Sequence, residues 1–384
     1  MASRRNFLRI AGSSAVIFAV AAAGLTQCDP MPEAAVEAWH GPLPGIRDAR
    51  VRALSFALLA PNPHNRQPWI ADLREPGAIT FFCDRTRLLP ETDPFSRQIT
   101  VGCGAFLELL RMAAAEQGYR ADVTAFPSGD WPAEQVGEQP VCRIAFVADP
   151  AVARDALFSQ VLKRRTNRSG YDGEPLTSSD ANSIAASMVH LPVQFSQTGE
   201  PRLMATLRDI ARRAWVIEVG KDSTYFESVK VYRLTSQEIS QHRDGLSFHG
   251  PLFWWMSKLG LFTRERALSG DQFLRKQSLD FIDGQINSTP SFAWISTKSN
   301  DRLAQLAAGA AYVRANLRAT ALGLATGPLS QVLQEFPEML PLMAEHKRIL
   351  GVAESETVQM FFRVGKARPG EPAPRRPLDA ILRT

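Results

Sequence analysis

Apolar residues recur along the chain with two periods, one typical of helices and one typical of buried strands. Three segments with apolar residues three and four positions apart predict helices: IRDARVRALSFALLA from Ile46, TVGCGAFLELLRMAAAEQG from Thr100, and LAQLAAGAAYVRANLRATALG from Leu303. The last two end on a glycine, which favours a helix C-terminus. Short apolar runs predict strands at 79–83, 141–149, 291–297 and 358–365. The pattern therefore predicts an α+β fold.

The two longer predicted helices share a short repeat. Gly-Ala pairs begin at Gly104 and Gly309, and each is followed by a helix-ending glycine 14 residues later, at Gly118 and Gly323. A predicted strand lies before and after each helix. This repetition predicts two related α+β halves, residues 46–156 and 157–384.

Two further segments differ from this repeat. Residues 29–45 are rich in proline and predict a linker. Residues 201–285 form an insertion in the second half that contains DGLSFHGPLFWWMSKLGLF. Its concentration of aromatic residues fits either a core helix or a mobile lid over a flat ligand. Both interpretations stay open from the sequence.

The first 28 residues resemble an export signal. Arg4 and Arg5 precede an apolar run from Ile10 to Thr26, rich in alanine and glycine. SRRNFL is similar to the twin-arginine signal, whose route exports folded proteins. We therefore expect export through the twin-arginine machinery to the periplasm. A retained membrane anchor, or lipidation at Cys28, is the alternative, although Gln27 is larger than the residue that normally precedes a lipidated cysteine.

Composition and charge exclude several classes of protein. The 384 residues are 45% hydrophobic and 22% charged, which is typical of a globular protein with a large core. The formal net charge is +5, but residues 1–28 contain three arginines and no acid, so the rest of the chain carries +2. No basic stripe or base-reading motif predicts nucleic-acid binding.

The four cysteines do not predict a metal site. Cys28, Cys83, Cys103 and Cys142 form no CxxC pair and have no histidine at a ligand spacing. Cys83 and Cys103 could pair in an oxidising compartment if they meet in space.

Motifs of the commonest enzyme classes are absent from the sequence. It contains no nucleophile elbow, HExxH, Walker loop or GxGxxG, which argues against serine hydrolases, zinc proteases, P-loop enzymes and Rossmann dehydrogenases. Two dense polar segments remain: APNPHNRQPW (60–69) and LKRRTNRSGY (162–171). Guanidinium groups with a neighbouring hydroxyl and amide suit phosphate binding, whereas the alternative is a solvated helix end.

These segments resemble motifs of the nitroreductase-like FMN oxidoreductases. APNPHNRQPW resembles the flavin-binding loop APSxxNxQPW, and RRTNRSGY resembles the phosphate element RRSxRxF. LGLATGPLSQ (322–331) is similar to the segment that passes the flavin ring, and the C-terminal GVAESETVQMFFRVGKARPGEPAPRRPL is similar to the closing strand and basic tail. The resemblance runs from about residue 47 to 384 and is weakest over 180–285.

The order of the motifs differs from that of a typical family member. There the arginine element precedes the QPW loop in a short subunit, and FMN lies at a homodimer interface. Here the loop comes first and the arginines follow. The resemblance therefore implies the Acg-like branch, in which two subunit-like halves are fused into a monomeric pseudo-dimer, each half with a mostly antiparallel sheet packed by helices. A single loop and a single arginine element imply one FMN site.

The resemblance implies four groups of contacts to FMN. Phosphate and ribityl contacts are assigned to Arg164, Arg165 and Thr166, with Arg168 as a supporting charge. Ring and ribityl contacts from the facing half are assigned to Pro61, Asn62, Pro63 and Asn65, although Asn62 and Pro63 replace the small hydroxyl residues usual in the family. Ser330 and Gln331 stand at flavin N5, and Arg375 or Arg376 stands at the phosphate. His64 has no partner evident from the sequence and is interpreted as structural, as is Trp69.

The implied function is an FMN-dependent oxidoreductase that passes hydride or electrons to a flat acceptor such as a nitroaromatic or a quinone. No catalytic side chain is assigned, because the flavin carries the chemistry. The small-molecule donor is left open, since NAD(P)H is scarce outside the cytoplasm. The alternatives are a flavin-sequestering protein with a closed lid and a structural lipoprotein without a cofactor.

Overall fold

The computed structural model describes residues 29–384, in which eleven strands and twelve helices follow one another along the chain. The strands are β1 Trp69–Asp72, β2 Ala78–Cys83, β3 Tyr119–Ala125, β4 Cys142–Ala148, β5 Gln194–Thr198, β6 Tyr232–Arg233, β7 Leu246–Ser247, β8 Ser291–Thr297, β9 Ala325–Pro328, β10 Thr357–Gly365 and β11 Leu382–Arg383. The helices are α1 Glu33–Val36, α2 Ala49–Ala57, α3 Arg97–Ala115, α4 Ser178–Ala186, α5 Pro201–Gly220, α6 Asp222–Lys230, α7 Ser236–His242, α8 Pro251–Lys258, α9 Arg264–Leu268, α10 Gln272–Asn287, α11 Arg302–Ala321 and α12 Leu340–Ile349.

Two sheets with corresponding strand orders form the frame. The first has the order β11-β1-β2-β4-β3 and the second β5-β8-β10-β9. In the first sheet β4 is antiparallel to both of its neighbours, β2 and β3. In the second sheet β10 is likewise antiparallel to its neighbours, β8 and β9. The predicted α+β fold with two related, mostly antiparallel halves is confirmed. Each predicted strand is present to within about one residue.

The pseudo-twofold relation is clearest where α3 crosses α11. A Cβ added at Gly309 would lie within 2.8 Å of Ala105 N and closer still to Val101 O. A Cβ added at Gly104 would lie within 2.7 Å of Leu306 Cα. Gly309 thus packs against Val101, three residues before Gly104, and Gly104 packs against Leu306, three residues before Gly309. The repeated Gly-Ala pairs of the sequence mark this close approach, which only glycine permits.

The ends of these helices follow from local chemistry. Asp93 accepts hydrogen bonds from Gln98 N (3.1 Å) and Ile99 N (2.9 Å) at the start of α3. Asp301 caps α11 by accepting from Ala304 N at 2.8 Å. Both helices end before a glycine of positive φ, 77° at Gly118 and 70° at Gly323, as the sequence predicted.

The C-terminal tail crosses from the second half to the first. β11 pairs in parallel with β1 through Ala71 and Leu382, so it completes the sheet of the first half. A boundary at residues 156 and 157 stays a prediction, because the tail is part of both halves. The tail also carries Arg375 and Arg376 towards the loop at residues 60–69.

The linker predicted at residues 29–45 contains regular structure and packs against the rest of the chain. It contains α1 and a 3₁₀ turn at 37–40, and Trp39 is buried in the core of the first half. Arg375 N donates to Ala35 O at 2.8 Å, and Trp39 Nε1 donates to Ala373 O at 2.8 Å. The segment is ordered because it packs against the tail.

The insertion at 201–285 has two parts. Its two longest helices, α5 and α10, contribute Met204, Ile210 and Ile286 to the core beneath the second sheet, so they are not a lid. The residues between them form a smaller core of their own. The lid-like description therefore applies only to the middle of the insertion.

The predicted twin-arginine signal, the signal-cleavage region and the lipidation candidate Cys28 lie outside the described residues. Between residues 29 and 384, no helix combines the length and apolar character required to cross a bilayer. Cys83, Cys103 and Cys142 are buried and unbonded. The thiols of Cys83 and Cys103 do meet, and this contact, together with burial, raises the pKa of Cys83.

Candidate functional site

Three arginines from two distant segments surround the indole of Trp39. The guanidinium carbons of Arg165, Arg375 and Arg164 lie 4.2, 5.0 and 5.3 Å from the ring centroid. Arg164 and Arg375 also donate to the same acceptor, the carbonyl of Leu59, at 2.7 and 3.1 Å. The arginine element, the basic tail and the end of the helix that leads into the 60–69 loop therefore meet at one point. We call Arg164, Arg165 and Arg375 the arginine cluster.

The arginine cluster has an excess of positive charge. Burial lowers the pKa of Arg164 to about 10, and burial followed by repulsion from Arg164 and Arg165 lowers the pKa of Arg375 well below its usual range. None of the three forms an ion pair with a carboxylate of residues 29–384, and no carboxylate is among the causes of their pKa shifts. A group of cations without a counter-ion is destabilised by burial, unless an anion binds to it.

Unused donors within the cluster indicate where an anion fits. Arg164 Nε and Nη1 and Arg375 Nε are buried and make no hydrogen bond within the described chain. Buried N–H groups are rarely left without acceptors, and charged donors cost most when unpaired. A phosphate dianion matches both the charge and the number of donors. The residues present therefore fit the phosphate of FMN.

The remainder of the arginine element lies in two other places. Thr166 forms an isolated parallel bridge with Thr326, which holds the element against β9. Arg168 makes no contact with the Trp39 ring. Instead it lies near His64, whose pKa it helps to lower. Desolvation lowers the pKa of Arg168 as well. Its role as a supporting charge at the phosphate stays a prediction.

The 60–69 loop is held in a strained conformation. His64, Asn65 and Gln67 have φ of 47°, 50° and 49°, in the left-handed region that costs non-glycine residues about 1 kcal/mol each. Asn62 supports this backbone, because its Oδ1 accepts from Gln67 N at 2.7 Å and its Nδ2 donates to Ala60 O at 3.1 Å. Strain that is held in place in this way is often found at ligand sites.

Asn65 binds the tail rather than presenting a free amide. Its Oδ1 accepts from Arg375 Nη1 at 2.8 Å and its Nδ2 donates to Pro374 O at 3.0 Å. Both polar atoms of the Asn65 amide therefore bind the tail and position Arg375. The predicted contact between Asn65 and the flavin stays a prediction.

Arg375 and Arg376, the two alternatives predicted at the phosphate, have different partners. Arg376 donates from its backbone to Gln67 Oε1 at 2.8 Å and from Nη1 to Gln67 O at 2.9 Å. Its guanidinium also donates to Ala380 O at 2.7 Å. Arg376 therefore fixes the loop to the tail, and Arg375 alone joins the arginine cluster. The assignment of Arg375 or Arg376 to the phosphate stays a prediction, and these contacts favour Arg375.

Residues 322–331 and the 60–69 loop both contact α3. Gln98 Nε2 lies 3.5 Å from Ser330 O. Gly102, one helical turn later, packs against Asn62, and a Cβ added at Gly102 would lie 3.2 Å from Asn62 Cβ. Pro63 Cδ lies at 3.5 Å from the same point. Pro61 is buried, and Gln331 is half-buried in the 3₁₀ turn 330–333. The first N–H groups of such a turn have no acceptor within it.

The middle of the insertion is bonded directly to the loop. Gln67 Nε2 donates to Arg243 O at 2.9 Å, and Gly245 N donates to Asn65 O at 3.1 Å. His64 Nε2 is 2.9 Å from Ser228 Oγ, so His64 has the partner that the sequence did not reveal. Burial, followed by repulsion from Arg168 and Arg66, lowers the pKa of His64 to about 4, which keeps the ring neutral at pH 7.

A buried carboxylate strengthens this attachment. Asp244 contacts three arginines, with distances of 2.6 Å to Arg233, 2.7 Å to Arg87 and 3.5 Å to Arg66. Arg66 belongs to the loop, and Arg87 follows β2. Asp244 therefore joins the insertion to the first half at the edge of the candidate site.

Sequence reasoning missed three contributors: Trp39, the Leu59 carbonyl and Ser228. A tryptophan in a proline-rich segment was the only signal for Trp39. A backbone carbonyl has no side-chain signature, and Ser228 becomes relevant only because the insertion folds back onto the loop.

Comparisons with known proteins agree with the motifs. The sequence model of the nitroreductase family matches residues 161–366. The putative NAD(P)H nitroreductase acg of Mycobacterium tuberculosis is 26% identical over 350 residues, covering 86% of this chain and 94% of the relative. The probable NAD(P)H nitroreductase PigM of Serratia sp. is 24% identical over 358 residues, covering 88% and 94%.

Solved structures give more distant matches. The FMN and NADPH-dependent nitroreductase NfnB from Sphigopyxis sp. strain HMH is 15% identical, covers 60% of this chain and 99% of its own, and has a TM-score of 0.39. An iodotyrosine deiodinase bound to FMN and 3-iodo-L-tyrosine is 14% identical, with coverages of 58% and 94% and a TM-score of 0.34.

Proposed function

The chain belongs to the nitroreductase family, and from this premise we propose that it is an FMN-dependent oxidoreductase of the Acg-like, fused type. The observation that carries the proposal is the arginine cluster, in which Arg164 and Arg375 are buried with unused donors, Arg165 is half-buried, and none of the three pairs with a carboxylate of the described residues. Relatives that share most of their length with this chain are named as NAD(P)H nitroreductases, which supports the same reaction class.

The residues divide the binding of FMN between the two halves. Arg164, Arg165 and Arg375 hold the phosphate, and Thr166 lies beside them. The backbone of Pro61, Asn62 and Pro63 and the turn beginning at Ser330 and Gln331 would hold the ring. When bound, FMN accepts hydride or electrons and passes them on.

The side chains around this site position groups and exclude water. Trp39 shields the arginine cluster from solvent, because the ring is buried against all three guanidinium groups. Asn65 and Gln67 fix the tail, so that Arg375 approaches from the second half while the loop approaches from the first. Neutral His64 is held by Ser228 and can donate or accept a hydrogen bond, depending on its tautomer.

We propose a flat acceptor, such as a nitroaromatic or a quinone, and a small-molecule electron donor. The relatives' names favour a nicotinamide donor. Export by the twin-arginine route to the periplasm, proposed from residues 1–28, favours a different donor, and a pseudo-dimer that supplies both sides of the site within one chain favours a monomer.

Retention of FMN tests the proposal most directly. Purified protein should show flavin absorbance, and mass spectrometry of the released cofactor should give the mass of FMN. Arg165→Ala should lose most of the bound FMN because it removes one of three phosphate cations, whereas the adjacent, exposed Lys163→Ala should retain it. Equal FMN content in the two variants would contradict the assignment of the cluster.

A second candidate, flavin sequestration, is favoured by the attachment of the insertion to the loop. Asp244 and the His64–Ser228 contact hold the insertion against the edge of the site, which limits access for a second substrate. Reduction with dithionite followed by rapid mixing with a quinone separates the candidates. Reoxidation that depends on quinone concentration supports an oxidoreductase, and reoxidation that is independent of quinone supports sequestration.

A further inference from the structure

We propose that three uncharged side chains, Tyr312, Asn316 and Thr326, form an inner wall of the phosphate site beside Arg164 and select a phosphorylated flavin over riboflavin. We call these three residues the polar wall. None of them is among the contacts that the sequence resemblance implies. This role rests on the proposed function, because the ligand is the same.

The polar wall lies within an apolar core. Tyr312 and Asn316 are four residues apart on α11 and therefore lie on the same face of that helix. The core around them consists of alanines of α11, such as Ala311 and Ala315, and of apolar residues of β10. Tyr312, Asn316 and Thr326 expose 2%, 1% and 1% of their surface. Water at the protein surface therefore does not hydrate them.

Each member of the polar wall has an unused polar atom. Tyr312 Oη, Asn316 Nδ2 and Thr326 Oγ1 are buried and form no hydrogen bond with any of residues 29–384. Burial raises the pKa of Tyr312 to about 12, and the nearby side chains of Thr326, Arg164 and Asn316 oppose this rise. The three atoms are thus close together, but no two of them have hydrogen-bonding geometry. Buried polar groups without partners are costly and rare, so a ligand atom is expected to satisfy them.

The polar wall adjoins the arginine element at two points. Thr326 pairs with Thr166 in the isolated parallel bridge, and Thr326 O accepts from Asn167 N at 2.9 Å. Burial lowers the pKa of Arg164 to about 10, and among its neighbours Tyr312 acts on it most strongly, in the opposite direction. Arg164, whose Nε and Nη1 find no acceptor in the described chain, therefore lies beside the polar wall.

The strand register places Thr326 on the side of the sheet that faces α11. Thr326 pairs with Val364, and Pro328 pairs with Phe362. Val364 and Phe362 belong to the core that contains Tyr312, and the Phe362 and Tyr312 rings lie 5.2 Å apart. Because paired residues share a face of the sheet, the Thr326 side chain lies between the sheet and α11.

The chemistry of the polar wall suits a phosphate. A phosphomonoester has three strong acceptor oxygens, and hydrogen bonds to its charge are about twice as strong as those to a neutral acceptor. The buried phenol of Tyr312 stays protonated at pH 7, so it can donate a hydrogen bond but cannot act as a counter-ion. Hydroxyl and amide donors add no repulsion among the buried cations. Riboflavin ends in an uncharged hydroxyl group and gains much less from these donors.

Titration of the full chain with FMN and with riboflavin, after removal of bound flavin, tests this role. Tyr312→Phe deletes one oxygen atom and keeps the ring that packs against Phe362. Isothermal titration calorimetry should show that Kd for FMN rises about tenfold or more, whereas Kd for riboflavin stays unchanged. Thr326→Val, which removes a hydroxyl and keeps the branched shape, should have the same selective effect. Wild-type ratios of the two Kd values in both variants overturn the proposal.

The stability of the flavin-free chain separates binding from a structural role. Removal of an unpaired buried hydroxyl relieves the cost of its burial, so flavin-free Tyr312→Phe should have a Tm equal to or above that of the wild type. Tyr225→Phe provides the control, because it deletes the hydroxyl of another buried tyrosine, in the small core of the insertion, and should leave both Kd values unchanged. A lower Tm for Tyr312→Phe with equal loss of both flavins, or the same selective loss in Tyr225→Phe, overturns the proposal.

The wild-type chain distinguishes failure of the polar wall from failure of the proposed function. A wild type that binds neither flavin contradicts the proposed function and the polar wall together. A wild type that prefers FMN, with variants that keep this preference, overturns the polar wall alone and leaves the arginine cluster as the phosphate site. An ordered water that satisfies the three groups in place of the phosphate gives this second result as well.

Discussion

Gly309→Ala tests the contact that joins the two halves. A methyl group at this position would lie within 2.8 Å of Ala105 N and closer still to Val101 O, whereas ordinary contacts begin at about 3.5 Å. Both groups belong to helix backbone and cannot rotate away, so α3 and α11 must separate. Overpacking of this kind costs about 3 kcal/mol, against a gain of about 1 kcal/mol from replacing a helical glycine by alanine. We expect a net destabilisation of about 2 kcal/mol.

Gly284→Ala provides the control for this substitution. Gly284 also lies within a helix, but no atom is found within 4 Å of the position that its Cβ would occupy. Alanine there should stabilise the protein by about 0.5 to 1 kcal/mol. Thermal unfolding of both variants should therefore give shifts in Tm of opposite sign. FMN content should fall only in Gly309→Ala, because the site is built from both halves. A Gly309→Ala protein as stable as Gly284→Ala would refute the reasoning.

Two further predictions concern buried acids. Burial raises the pKa of Glu218 to about 7 from 4.5, so its contribution to stability is complete below about pH 4.5 and is lost as pH rises through about 7. Glu218→Gln should therefore flatten the decrease in Tm between pH 4.5 and 7, and an unchanged pH profile would contradict this. Asp244→Asn should destabilise the protein by about 3 kcal/mol, because it leaves buried arginines without their carboxylate. Hydrogen exchange should then increase in residues 62–67 and 222–245, whereas Glu138→Gln, which breaks an exposed ion pair, should change neither property.

Regular elements were predictable because their signals are local. Strands such as β8 and β10 are runs of apolar residues that are buried along their length, and α3 and α11 end at glycines. The Gly-Ala repeat predicted two related halves, and the structure gives its physical cause in a helix crossing. The two polar motifs were likewise visible, because Arg164 and Arg165 adjoin each other in sequence and the loop is unusually rich in proline.

Assignments to particular atoms were less predictable from the sequence. Asn65 was assigned to FMN, as was Arg376 as an alternative to Arg375, but the motifs did not reveal that these two side chains bind Arg375, Pro374 and Gln67. A motif gives the residue type at a position, whereas the partner of an amide or a guanidinium depends on which distant segment arrives beside it. The packing of residues 29–45 was not predictable for the same reason, since the tail that covers Trp39 lies more than three hundred residues away.

The sequence by itself therefore determined three of the helices, four of the strands, the two related halves, the family resemblance and the two motifs that face the candidate site. These properties depend on residue type and spacing over short distances, where backbone preference and hydrophobic periodicity act directly. Only the tertiary structure decided that three arginines pack around Trp39, that the tail completes the first sheet, and that the insertion binds the loop through Ser228 and Asp244. Those contacts join segments far apart in the chain, and their free energy comes from burial and pairing that exist only after the halves have packed.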